Sequence, residues 1–142
     1  MSDGEIRYDP VVVAKFREIW GPDFLPPFPR LAEASEAMAP IAAAQGAIFA
    51  NPILDLKLRA VIVFSTLVSL GFQPETKLYT QGLRNLGFTV REISEMIAQI
   101  SLYAGMPRGI DANMLVREVV EEDEERSRED GFFYRFPRES HR

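Results

Sequence analysis

The sequence predicts an all-α fold, a compact bundle of about six helices in a single domain spanning residues 1–142. Three observations predict it. Apolar residues recur at three- and four-residue steps in most of the chain, Pro and Gly stand where helices start and stop, and no stretch alternates over a strand's length except Phe132 to Phe136.

Asp9 followed by Pro10 reads as an N-cap with proline at the first helical position, and Val12, Val13, Phe16, Ile19 and Trp20 keep helical spacing up to Gly21. Pro22, Pro26, Pro27 and Pro29 then remove backbone donors and fix φ, which predicts an extended connector. The alanine-rich segment from Leu31 to Phe49 favours helix, with Pro40 expected to divide it. Leu54 to Leu70 is apolar nearly all round after Lys57 and Arg59, so it is expected to be a central core helix ending at Gly71. Pro74 opens the next helix, which runs to Leu86 and stops at Gly87. Thr89 and Glu92 have capping-box spacing, and Ile93, Met96, Ile97, Ile100 and Ala104 follow at helical steps to Gly105. Pro107 starts the last helix, whose apolar side is expected to carry Ile110, Met114, Val116, Val119 and Val120 before the charged run from Glu121 to Glu125.

Composition narrows the chemistry. The chain has no cysteine, which removes thiolate nucleophiles, disulfides and zinc-cysteine sites and fits a reducing, cytoplasmic setting. A net charge of -5 without a basic cluster opposes a nucleic-acid partner. The longest apolar run, Ala60 to Val68, is too short to cross a membrane, and the first ten residues lack a secretory pattern. The single histidine, His141, lies in the tail, and the acidic run lacks the spacing of a calcium loop, so no metal is expected. Nor does any glycine-rich loop or dinucleotide fingerprint point to a cofactor.

Residues 54–71, 78–89 and 91–112 together resemble the carboxymuconolactone decarboxylase family. The resemblance rests on Lys57, Arg59, Gly82, Gly87, Thr89, Glu92, Glu95, Gln99, Tyr103, Gly105 and Pro107, which keep step with the family's pattern, and it makes residues 54–120 a family-like helical core. The wider fold, alkylhydroperoxidase-D-like, includes peroxidases built on Cys-x-x-Cys-x-x-x-His. At that spacing this chain has Phe72, Glu75 and Tyr79, which cannot perform thiol peroxidation, so the resemblance is to a cysteine-free branch with the usual histidine replaced by Tyr79. It implies a homo-oligomer, trimer or hexamer, and a lyase that decarboxylates a small carboxylate or lactone without a cofactor.

Such a reaction needs an anion anchor, a donor to the developing enolate and a proton source for carbon. Arg59 suits the first role, Tyr79 the second and Glu95, if desolvated, the third, with Gln99 and Tyr103 further along the Glu95 helix as substrate contacts. The alternative is a noncatalytic ligand-binding or assembly protein that retains the fold. The tail over residues 131–142 places Phe132, Phe133, Tyr134 and Phe136 close together and is expected to dock on a neighbouring subunit.

Overall fold

The computed structural model describes residues 10–23 and 38–130. Their regular structure is helical, with no strand among them: α1 (Pro10–Trp20), α2 (Met38–Ala50), α3 (Leu56–Leu70), α4 (Gln73–Asn85), α5 (Val90–Ala104) and α6 (Met106–Asp130). The proline-rich connector beyond residue 23 and the aromatic tail lie outside the described residues. The chain forms two compact units, residues 1–56 and 57–142.

In the first unit α1 packs on α2. Phe16 and Ile19 are buried on α1, and the Phe16 ring meets Phe49 of α2 at 5.3 Å between centroids, tilted by 43°. Such a tilted pair adds to simple burial through complementary ring edges and faces. Residues 31–37, the part of the alanine-rich segment expected to precede a division at Pro40, lie outside the described residues. Pro40 itself falls in the first turn of α2, where a missing N–H leaves no intrahelical bond unmade.

In the second unit α6 packs along both α5 and α4. Its buried stripe is Gly109, Ala112, Val116, Val119 and Asp123, at steps of three and four. Two residues expected on the apolar side, Ile110 and Met114, are instead 53% and 58% exposed. Two apolar stripes coexist on this helix, and the one carrying small residues faces inward because it lets α5 come close. A β-carbon at Gly109 would lie 1.8 Å from the Ser101 Oγ, an oxygen already engaged by its 2.7 Å bond to the Ile97 carbonyl. α6 carries its charged run as helix to Asp130, and Glu118, Glu122 and Asp123 meet cations of α4.

α3 is not enclosed on all sides. Ala60, Phe64 and Val68 form its buried stripe, while Leu58, Ile62 and Leu70 are exposed. Ser65, Thr66 and Ser69 donate to carbonyls four residues back, which satisfies their hydroxyls within this apolar helix. At its end Gly71 has φ +76°, and a β-carbon there would sit 1.8 Å from the Arg108 Nη1. Gly71→Ala therefore both strains the backbone and displaces the guanidinium. The expected loss is about 1–2 kcal/mol, read as a lower urea midpoint at unchanged slope.

Candidate functional site

α4 begins with Pro74 in its first turn, and its inward face is built from Thr76, Tyr79, Thr80, Gly82 and Leu83. The two threonines would be costly there if unpaired. Thr76 donates to the Phe72 carbonyl at 2.7 Å and Thr80 to the Thr76 carbonyl at 2.9 Å, so both hydroxyls are satisfied along the helix. Tyr79 lies between them in the sequence and is 6% exposed. Burial pushes its phenol up from 10.0 to about 12, which keeps the hydroxyl protonated through neutral and mildly alkaline pH.

Polar contacts tie the same helix to α6. Arg84 donates from Nη1 to the Asp123 Oδ2 with both side chains mostly shielded from water, and Lys77 reaches Glu122 at 2.5 Å and Glu118 at 3.6 Å. The hydrogen bond to Glu122, then the surrounding negative charge, raises the Lys77 pKa. Sequence reasoning missed these pairs, since partners 39 and 45 residues apart leave no local spacing to read.

α5 is opened by the capping box the sequence predicts. The Glu92 backbone N–H donates to the Thr89 Oγ1 at 3.1 Å and the Thr89 backbone N–H donates to the Glu92 Oε2 at 2.8 Å. The backbone bond, then the Thr89 hydroxyl, holds the Glu92 carboxyl below its ordinary 4.5, with a smaller contribution from Lys57. Lys57 itself stands 5.7 Å from the centre of the Phe88 ring. A depressed folded-state pKa contributes stability above the unfolded value and loses it as pH falls through the folded one. Glu92→Gln, which keeps the cap but cannot titrate, should be less stable than the parent at pH 7. That gap should close as the pH is lowered through the acid range below 4.5, as read by urea melts along a pH series.

The five candidate site residues occupy three helices. Tyr79 is buried on α4, Arg59 is half-buried on α3, and Glu95, Gln99 and Tyr103 are exposed on α5. Within one chain, then, Tyr79 is enclosed while the α5 residues face solvent, Tyr103 being 88% exposed. A small cavity in the second unit is lined by Val68, Gly71, Gln73, Thr76, Arg108, Asp111, Ala112 and Leu115. Its volume of about 10 Å³ is near the minimum for a single water, so it takes no organic substrate. Among the described residues no group of three or more His, Cys, Asp or Glu side chains is placed to hold a metal, and no helix is long and apolar enough to cross a membrane.

These features define the class: a cysteine-free, all-helical protein whose candidate polar residues are carried on three successive helices, one of them presenting a buried, protonated tyrosine. Sequence comparison gives its family. The profile of the carboxymuconolactone decarboxylase family matches residues 35–118, more than half of the chain, and the protein belongs to that family. It is similar to the 4-carboxymuconolactone decarboxylase of Acinetobacter baylyi, at 32% identity over 76 residues, 54% of this chain and 57% of that enzyme. It is also similar to an uncharacterized protein of Methanocaldococcus jannaschii, at 30% identity over 79 residues, 56% of this chain and 74% of the relative. The matched stretch thus spans little more than half of the named decarboxylase. No solved structure matches.

Proposed function

We propose that the protein is a cofactor-independent, decarboxylase-like lyase acting on a small organic acid or lactone. The observation that carries this reading is membership of the decarboxylase family combined with a buried Tyr79 that remains protonated. Arg59 holds the substrate's carboxylate by a charge-assisted bond. The bond between that carboxylate and the adjacent carbon breaks, carbon dioxide leaves, and the electron pair moves onto the conjugated carbonyl as an enolate. The Tyr79 hydroxyl donates to the enolate oxygen, where a preorganised donor in a shielded site acts most strongly. Glu95, once the bound substrate shields it from water, delivers the proton to carbon, and the proton is replaced from solvent when product leaves. Gln99 and Tyr103 contact the remainder of the substrate, and the working form is a cytoplasmic homo-oligomer.

The test is carbon dioxide release from a panel of β-keto acids and carboxylated unsaturated lactones. Saturable release above the buffer rate is expected for at least one member. None from any member would overturn the lyase reading. The exposure of Glu95, Gln99 and Tyr103 favours one alternative, a noncatalytic ligand-binding or assembly protein, for which calorimetry would find binding of the same acids without turnover.

A further inference from the structure

α6 turns one stripe inward and leaves a second outside. Met106, Ile110 and Met114 are 67%, 53% and 58% exposed, and their four-residue steps place them on one face of the helix. Gly109, Ala112 and Val116 take the inward places, so neither thioether is drawn into the core. Met96 on α5, by contrast, is half-buried. In a chain without cysteine the thioethers are the sulfur nucleophiles that remain. A thioether does not ionise, so no neighbouring charge tunes it through a pKa as happens for a thiol, and access of the oxidant to the sulfur decides which methionine reacts. Met106 and Met114 have that access.

We propose that Met106 and Met114 are a paired oxidation site, at which hydrogen peroxide turns both thioethers into sulfoxides and changes the outer face of α6 from apolar to polar. At each sulfur a lone pair attacks one peroxide oxygen, and the sulfur–oxygen bond forms as the oxygen–oxygen bond breaks. The proton on the transferred oxygen passes to the departing one, which leaves as water. Sulfur is thereby oxidised by two electrons and the peroxide reduced by the same two. The two events flank Ile110 about one turn away on either side, so the stripe keeps a single apolar member. Each new oxygen places a polar acceptor on what was a flexible apolar side chain. Arg117, exposed and three residues beyond Met114, is spaced to donate to one of them. Both sulfurs lie outside the buried stripe, so the helix survives the change, and a methionine sulfoxide reductase restores the original face. The modification does not depend on the lyase chemistry.

Limited hydrogen peroxide treatment of the full chain, followed by proteolysis and mass spectrometry, reads the oxygen gained at each methionine. Met106 and Met114 should gain theirs at least about threefold faster than Met96. Equal rates at all three, or a pair slower than Met96, would overturn the proposal. The change of surface is read by binding of an apolar fluorescent dye, which should fall about twofold in the oxidised parent and recover after reductase treatment. The double variant Met106→Leu with Met114→Leu conserves volume and cannot be oxidised at these positions, so it should keep its dye binding through the same treatment. A variant that loses as much as the parent places the effect at other residues and sinks the paired site. So does helical circular dichroism that declines in step with sulfoxide formation, since the two sulfurs would then be part of the packing.

Discussion

Asp123→Ala should lose about 3 kcal/mol of folding stability, the lower end of the range for removing one member of a shielded ion pair. The aspartate is 8% exposed and its partner Arg84 lies on a different helix, so the substitution takes the carboxylate away from a shielded guanidinium and removes one of the ion pairs between α4 and α6. The loss reflects the guanidinium's lost compensation more than any net attraction, because each ion gave up hydration to enter the pair. The double variant Arg84→Met with Asp123→Leu should consequently recover most of what the single one loses. Equilibrium urea unfolding of the three proteins decides it. If Asp123→Ala falls within 1 kcal/mol of the parent, water reaches the pair freely and the clamp is only a surface contact.

Tyr79→Phe should lower kcat on the substrate found by the carbon dioxide assay by about 10²- to 10³-fold, the usual consequence of deleting one donor to a developing oxyanion. The ring still fills its place, so the fold should survive; the stability change should be about 1 kcal/mol, the net worth of one hydrogen bond. Because the phenol is held near 12, no limb of the kcat profile below pH 10 should belong to Tyr79, and the variant should keep the shape of the parent profile at reduced height. An activity that survives the substitution intact would assign the hydroxyl to packing alone.

Signals between neighbours in sequence were readable in advance. Thr89 and Glu92 announce the start of α5 because a cap is a contact three residues long, and Pro10 and Gly21 bracket α1 for the same local reason. The side on which α6 is buried was not readable. Ile110 and Met114 are more hydrophobic than Gly109 and Ala112, yet the small pair goes inside because the neighbouring helix needs room, a fact that belongs to α5. Asp123 shows the same limit, since within a run of acids it reads as solvated and only Arg84, far away in sequence, draws it in. For the candidate site, the shared stripe of Glu95 and Gln99 followed from helical spacing, whereas the direction in which that stripe faces depends on whatever packs around it.

The missing side chain at Gly109 has a mechanical consequence. With nothing but a hydrogen between the α6 backbone and Ser101, any larger side chain at Gly109 would have to push α5 and α6 apart, so the closeness of the two helices is set by the smallest residue in their contact.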